Sequence, residues 1–489
     1  MSPTPTPSSG ASNAARRPLA PRWLVVLHRY LGVSLGALML LWCLSGIVML
    51  FVHYPEVAQE DRLAALPAIN WSRCCNFGDV VAPPVHIETA SVEDLAGVPA
   101  LRLQTAGGDR HVIDLSTGRA IHDIPAEAAR LIATGHANFS GDSRATAIQR
   151  DQWTVTGYFN KHRPLWRVRL ADGRGTDIYV SRRSGEVVQR TTSASRVLNW
   201  LGAIPHWLYP AILRQNTALW AQVVIWTSLI GVFLIVTGLY LGVLAWRPFR
   251  DARLSPYRGL MNWHHLTGLA TGLLTLTWVA SGLVSMNPWG LLESPPDSAE
   301  ARLRGEAPTF ADVQSALADL ARANPSAAHV EIARLQGHLF LVNAEERFDA
   351  VVRPAPLTGS ELAAAGRSMG PVVSQGMIEV EDAYYFSHHE KVRLPAWRVI
   401  TKTGSRYYLD PSTGRLLASF DAPAKAYRWL HLGLHRLDVV PGLRAGPAWT
   451  AAMVILLAAV SFGVGTGVWL AWRRAVNDVR GLRGAARPR

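Results

Sequence analysis

The residues of this 489-residue chain with the most distinctive chemistry are histidines set in apolar surroundings at a repeated spacing. His28-Arg-Tyr-Leu-Gly32-x3-Gly36-x5-Trp42-x2-Ser45-Gly46 recurs as His264-His-Leu-Thr-Gly268-x3-Gly272-x5-Trp278-x2-Ser281-Gly282, at a constant offset of 236. On a helix, residues at i+4 and i+8 share the face of residue i. Gly32 and Gly36 therefore sit beside His28, and Gly268 and Gly272 beside His264. An imidazole followed by a smooth glycine strip leaves room for a flat macrocycle, and two such helices would clamp one haem between their imidazoles. The same Gly-x-x-x-Gly pattern also serves plain helix packing, with the histidines snorkelling to the headgroups. His265 is an alternative to His264.

A second pair, His206 and His435, lies in the aromatic stretches 200–213 and 429–440. Placed near the external surface, this pair would hold a second haem and complete a two-step wire; interfacial anchoring by His and Trp is the simpler use of such residues. His431, four residues before His435, is auxiliary, and His53 is a substitute for one member of the pair. Trp42 and Trp278 follow the inner histidines by 14 residues, about 21 Å along a helix, and read as bundle packing, with contact to a second cofactor as the alternative. His162 and His389 lie on Tyr-rich external segments and read as surface polar clusters, with binding of a substrate metal complex as the alternative. No Cys-x-x-Cys-His occurs, so any haem is b-type. Three cysteines are too few for a four-thiolate iron–sulfur cluster. Cys74 and Cys75 are adjacent, as a vicinal disulfide or as two thiols. No zinc spacing and no nucleotide-binding motif is visible.

The elements that must position these groups are membrane spans. Hydrophobic residues make up 49% of the chain and charged ones 17%, too few charges for an ordinary soluble enzyme. Uncharged apolar runs occur at 31–52, 218–246, 266–292 and 448–472, each long enough to cross about 30 Å of hydrocarbon. The net charge of +13 invites a nucleic-acid reading, but its distribution excludes one. Segments 1–23, 247–263 and 473–489 hold thirteen arginines against Asp251 and Asp478, and each abuts an apolar run. The positive-inside rule places all three in the cytoplasm.

The predicted order is a disordered cytoplasmic N-terminus (1–22), a span (23–53), an external α+β domain (54–198), an interfacial helix (199–217), a span (218–246) and a cytoplasmic loop (247–263). A third span (264–290), a second external α+β domain (291–426), an interfacial helix (427–447), a fourth span (448–472) and a cytoplasmic tail (473–489) follow. The fold class is a four-helix membrane protein of two parallel repeats with two external α+β domains. A second repeated block supports this: Tyr158-Phe159, His162, Pro164, Trp166-Arg167-Val168 and Tyr179 match Tyr385-Phe386, His389, Pro395, Trp397-Arg398-Val399 and Tyr408. Trp200, His206 and Thr237-Gly238 match Trp429, His435 and Thr466-Gly467. Thr309 is expected to cap a helix over 309–324, and 397–402 and 406–409 read as strands. Asp114-x-x-Thr-Gly118, Ser181-x-x-Ser-Gly185 and Asp410-x-x-Thr-Gly414 are tight-turn signals.

The His-Arg-Tyr-Leu-Gly opening, the Pro-x-Trp-Arg-Val and Asp-x-x-Thr-Gly strands, and Arg428-Trp-Leu-His-Leu-Gly-Leu-His435 resemble the PepSY-associated transmembrane-helix family, over roughly 22–474. That family includes iron-regulated inner-membrane proteins and di-haem reductases of ferric siderophores. The resemblance implies haem b, two per chain, with ligand roles carried onto His28, His264, His206 and His435. It also implies PepSY-type domains in the periplasm that cover or receive a ferric siderophore or other ferric chelate. The expected activity is a haem-dependent ferric-chelate reductase of the bacterial inner membrane, fed by an unidentified cytoplasmic or quinol donor, with membrane lipid as surroundings and no nucleic acid. The alternative is an envelope-binding or peptidase-regulating module with a membrane anchor and no redox activity. A parallel-repeat transporter would need broken helices or mid-membrane acids, which the spans do not show.

Overall fold

Long runs of Leu, Val, Ala and Ile without acidic residues bury their backbone polar groups only as helices. The computed structural model, which describes residues 21–77, 87–246, 254–295, 298–343, 346–349, 351–388, 392–441, 444 and 446–485, has four such helices: Arg22–Met49, Thr217–Ala245, Leu260–Ser285 and Pro447–Ala485. Each is long and apolar enough to cross a membrane. The expected disordered start, the first part of the 247–263 loop, the last residues of the tail and His389 lie outside the described residues.

The third helix stops at Ser285, five residues before the expected end. Asn287 there is left-handed (φ 42°), and Pro288 cannot continue the ladder. The fourth runs past the expected span end at 472 into the arginine-rich tail, where Arg474 and Asp478 pair at 3.0 Å across one turn.

The chain divides into two compact units, one of residues 1–43, 226–280 and 455–489, the other of 44–225 and 281–454. The first unit is helical. Leu35, Met39, Leu234 and Ile235 form its core, with Trp42, Leu276, Val279 and Val464 packed on it. Trp278 is buried as well, so both repeated tryptophans are placed in packing.

The second unit carries the strands β1 (Ile87–Leu95), β2 (Val98–Thr105), β3 (Arg110–Asp114), β4 (Arg119–Ala120), β5 (Ser143–Ile148), β6 (Leu165–Leu170), β7 (Asp177–Ser181) and β8 (Val187–Thr191). From the segment between the third and fourth long helices come β9 (His329–Leu335), β10 (His338–Asn343), β11 (Glu346–Phe348), β12 (Val372–Ile378), β13 (Ala396–Thr401), β14 (Arg406–Leu409) and β15 (Leu416–Phe420). β5 to β8 make one antiparallel meander and β12 to β15 another. The expected strands at 397–402 and 406–409 are β13 and β14, and the three turn glycines, Gly118, Gly185 and Gly414, have φ of 72°, 71° and 74°. Thr309 and Asp312 form the capping box of the helix Phe310–Ala323.

The remaining strands join the segment between the first and second long helices to that between the third and fourth. β1 pairs antiparallel with β9, in register from Ala90 opposite Ile332 to Glu93 opposite His329, giving a seven-stranded sheet ordered β11-β10-β9-β1-β2-β3-β4. Segments read from sequence as separate domains thus share one sheet. Its core of Ile87, Val92, Leu101, Ile113, Val330 and Leu341 is closed by Phe310, Val313 and Leu317 of the capped helix. Alternating apolar residues in β1 and β9 face the same core, and only pairing them buries both faces. Cys74 and Cys75 are joined in a disulfide packed on this core.

The interfacial stretches are broken rather than continuous. The helix Ser193–Leu201, opened by a Thr192–Ser195 capping box, ends at Gly202, and Ala203–His206 forms a separate turn. In the later stretch Arg428–Gly433 is a π-turn, followed by Leu434–Arg436 and the left-handed Leu437 (φ 53°). Single π-turns concentrate at functional sites because they re-aim the side chains that follow.

Candidate functional site: two pairs of imidazoles

The inner pair sits in two like environments within the first unit. His28 Nδ1 lies 3.2 Å from the Leu234 carbonyl and 3.3 Å from Thr237 Oγ1. His264 Nδ1 lies 3.2 Å from the Gly463 carbonyl and 3.4 Å from Thr466 Oγ1. A carbonyl oxygen only accepts, so Nδ1 carries the proton in each ring, and Nε2 becomes the lone-pair donor. Holding one ring nitrogen by a backbone carbonyl is the usual way a ligating imidazole is oriented. Each threonine hydroxyl also donates to the same carbonyl, Thr237 to Leu234 at 2.9 Å and Thr466 to Gly463 at 2.7 Å.

The glycines beside these threonines make the approach of the rings feasible. A Cβ at Gly238 would stand 2.6 Å from His28 Cε1, and one at Gly467 would stand 2.6 Å from His264 Cε1. Any side chain there would displace the imidazole. Both Thr-Gly pairs were visible as a repeat, but nothing local in the sequence tied them to the histidines; that tie is a contact between one span and the next.

The expected glycine strip divides. A Cβ at Gly36 would meet Val468 at 3.1 Å and one at Gly272 would overlap Leu239, so these two allow helices to approach closely. Gly32 has only an ordinary 3.9 Å neighbour, Ala471, and Gly268 has no described atom within 4 Å. His265 is differently engaged: its Nε2 donates to the Gly242 carbonyl at 2.9 Å, and its Nδ1 receives the Ser255 hydroxyl at 2.9 Å. With both nitrogens committed, His265 straps the stretch at Ser255 to the second span, and His264 is the ring with a nitrogen to offer.

The outer pair comes together in the second unit. The ring centroids of His206 and His435 are 6.1 Å apart, at 70°. Rings at this separation are close enough that both could contribute a nitrogen to one metal centre held between them. His206 Nδ1 is 3.3 Å from Ser45 Oγ, and His435 Nδ1 is 3.0 Å from Ser281 Oγ. The repeated Trp-x2-Ser-Gly ends of the first and third spans therefore orient the outer histidines, a role the spacing alone did not suggest. Four nitrogen-bearing rings, each anchored through Nδ1 in two matched pairs, fit a haem b ligand set.

His431 stands beside this pair, its centroid 5.5 Å from that of His435, and its Nδ1 donates to the Ser281 carbonyl at 2.9 Å. Burial and the nearby Arg436 push its pKa down, against the Ser281 hydrogen bond. His53 is engaged through its backbone, its carbonyl receiving Asn199 Nδ2 at 3.0 Å. His162 is in the first external segment, 3.4 Å from Glu186 and 5.4 Å from the Tyr158 ring centroid. Burial alone would raise the Glu186 pKa, but the His162 imidazole and Arg102 outweigh it and hold the carboxyl well below its usual range.

A model of the PepSY-associated TM region family matches residues 25–474. The chain belongs to this family. It is thus a multi-pass membrane protein; the described residues include four helices long and apolar enough to cross a membrane, together with α+β structure. No curated protein matches the chain.

Proposed function

We propose that this PepSY-associated TM protein is a b-type di-haem electron carrier that reduces a ferric chelate, in the manner of a ferric-siderophore reductase. The observation that carries the reading is the matched anchoring of the histidines: carbonyl and Thr for His28 and His264, Ser for His206 and His435. Packing alone does not require an imidazole at any of these positions, let alone the same nitrogen held in both members of each pair.

In this reading the chain is two parallel repeats in a bacterial inner membrane, both termini cytoplasmic and the external sheets periplasmic. The arginine-rich ends of the spans set that orientation. Bound haem would supply a one-electron Fe(III)/Fe(II) couple at each pair. The protein's part would be to fix the rings through Nδ1, leaving Nε2 of His28 and His264 as donor, and to keep water from the inner pair inside apolar helices, which tunes the potential. With haem held by His28 and His264 and by His206 and His435, the chain would accept electrons from a cytoplasmic or quinol donor and hand them to the external substrate. The substrate ferric ion, once reduced, is held less tightly by hard oxygen donors, and Fe(II) is released for uptake.

The test is the absorption spectrum of the purified protein, oxidised and then dithionite-reduced. The expected result is a b-type spectrum that falls by about half in His28→Ala or His264→Ala. A colourless protein from cells well supplied with haem precursor refutes the reading and leaves an envelope-binding module with a membrane anchor.

A further inference from the structure

Between the short helix Gln59–Ala64, the turn joining β1 to β2 and the end of the helix Ala126–His136 lies a cleft of about 260 Å³ that the proposed function does not use. Leu66, Leu95, Leu131, Ile132 and Val187 give it apolar walls, and Arg62, Glu93, Asp94 and His136 are its polar lining. An apolar recess with a few convergent polar groups is the usual form of a small-ligand site.

The segment between the third and fourth long helices closes the corresponding space. Its helix Ala299–Arg304 repeats the Glu-x-Arg-Leu of Gln59–Ala64, as Glu300-Ala-Arg302-Leu303 against Glu60-Asp-Arg62-Leu63. The β1–β2 turn, with Ala96 and Gly97 at φ of 54° and 92°, is matched by Gln336 and Gly337 between β9 and β10, at 51° and 81°. A Cβ at Gly185 would overlap Leu95 before the first turn, and one at Gly414 would crowd Leu335 before the second. In the later segment the turn is bonded to the helix: Gln336 N donates to the Leu303 carbonyl and Gly337 N to the Arg304 carbonyl, each at 2.8 Å. Met369, just past the helix Gly359–Ser368, is 2% exposed and packed into one core with Leu303 and Phe340. Arg302 donates to its carbonyl at 2.8 Å.

None of these closures recurs at the cleft among the described residues. Ala96 and Gly97 make no backbone bond to Gln59–Ala64. Arg62 turns instead to Glu93, at 2.9 Å, and Glu93 also holds Arg102. His136 takes the place of Met369 at the end of its helix, half-buried rather than packed away. A Cβ at Gly135, just before it, would meet nothing within 4 Å. Protein interiors are close-packed, and matched elements with one recess filled and the other open show that packing does not require the opening.

Asp94 supplies the recognition chemistry. It is 8% exposed; its Oδ1 accepts the Gly97 N–H at 2.8 Å, and its Oδ2 has no partner among the described residues. Burial pushes its pKa up by more than the Gly97 N–H and Arg73 pull it down. The neighbouring cations are engaged elsewhere, Arg62 with Glu93 and Arg73 with the Gly97 carbonyl. A carboxylate in an apolar recess calls for a cationic N–H donor, whereas a ligand anion would face Asp94 and Glu93 together. A dry cavity of about 150 Å³ accepts benzene, so this cleft has room for a compact body of about eight to ten non-hydrogen atoms.

We propose that this cleft binds a small primary ammonium ligand, its apolar body between Leu66, Leu131 and Ile132 and its head group donating to Asp94 Oδ2. The site uses none of the four histidines of the imidazole pairs, so it is independent of the proposed function. A charge-assisted hydrogen bond of this kind contributes about 10- to 100-fold in affinity.

Ligand-detected NMR on the full-length protein in lipid nanodiscs tests this with three probes of one shape: cyclohexylmethylammonium, cyclohexylmethanol and cyclohexanecarboxylate. At ordinary ligand efficiency a probe of about eight non-hydrogen atoms binds with about millimolar affinity. The expected result is saturable binding of the ammonium, about tenfold weaker binding of the alcohol, and none of the carboxylate. Asp94→Asn keeps an acceptor for the Gly97 N–H; it should weaken the ammonium by about tenfold or more and leave the alcohol unchanged. His136→Met, which brings in the residue of the closed segment, should weaken both. Comparison with these variants cancels partition of the probes into lipid. No saturable binding, equal binding of all three heads, or an unaltered ammonium affinity in Asp94→Asn overturns the proposal. Should Asp94→Asn fail to fold, Gly135→Leu, which fills the cleft from an open position, must abolish binding; undiminished binding overturns it too. Tighter binding of N-acetyl-lysine methylamide than of the free amine would overturn the small-molecule assignment in favour of a protein side chain. A colourless preparation that still binds the ammonium sinks only the proposed function, and a pigmented one that does not bind it sinks only this inference.

Discussion

Replacing Gly238 or Gly467 with alanine tests the inner pair at its most crowded point. The new methyl carbon would stand 2.6 Å from the Cε1 atom of His28 or His264, where carbon atoms normally keep about 3.5 to 4 Å apart. The ring must withdraw by about 1 Å. That stretches the 3.2 Å bond from Nδ1 to the Leu234 or Gly463 carbonyl beyond hydrogen-bond range, a net loss of about 1 kcal/mol. Overpacking adds about 1 to 3 kcal/mol, and the better helix propensity of alanine returns up to about 1 kcal/mol. The expected net destabilisation is about 1 to 3 kcal/mol, and displacing a ligand's orienting partner costs about 10- to 100-fold in affinity for the metal group. The assays are thermal unfolding in detergent and the ratio of haem absorbance to protein. Gly135→Ala, at a helical position with nothing within 4 Å of the added carbon, is the control and should leave pigment unchanged. Full pigment and unaltered melting in both Gly238→Ala and Gly467→Ala would refute the placement of the imidazoles against these glycines.

Two further outcomes follow from the same geometry. Removing the hydroxyls in Ser45→Ala and Ser281→Ala should leave the inner haem signal intact and loosen the outer one, seen as a shift of one component only in the reduced spectrum; equal effects on both components would contradict the pairing. In the shared sheet, burial holds the His329 pKa at about 4, against the pull of Glu93 opposite it. A depressed folded pKa means the unfolded chain binds the proton first, so stability is full above about pH 6.5 and falls as pH drops towards 4, by roughly 3 kcal/mol from this group. His329→Gln should flatten that part of the profile of melting temperature against pH, and an unchanged slope would exclude His329 as its source.

Much of the membrane architecture was legible in the residues themselves. A span announces itself through composition, since any helix in lipid must be apolar over a fixed length. Short-range rules also held: the Thr309 cap, the strands at 396–401 and 406–409, and the turn glycines depend on neighbours a few residues away. The end of the third span was misplaced because apolar composition continues past Pro288, where backbone geometry does not.

The site was legible only as a list of ligand types. His28, His264, His206 and His435 stand out by spacing, but spacing cannot show which nitrogen of a ring is held, nor that Ser45 and Ser281 hold the outer pair. Nor could it separate His264 from His265: they are adjacent in sequence and differ only in what surrounds them, a carbonyl of the fourth span for one, the second span and Ser255 for the other. The joining of β1 to β9 and the cleft beside Asp94 were hidden for the same reason. Sequence by itself determined the helices and the candidate ligands, because these follow from local composition and period. Tertiary structure alone decided which histidines meet and which glycines make room for them, because those depend on contacts between residues hundreds of positions apart.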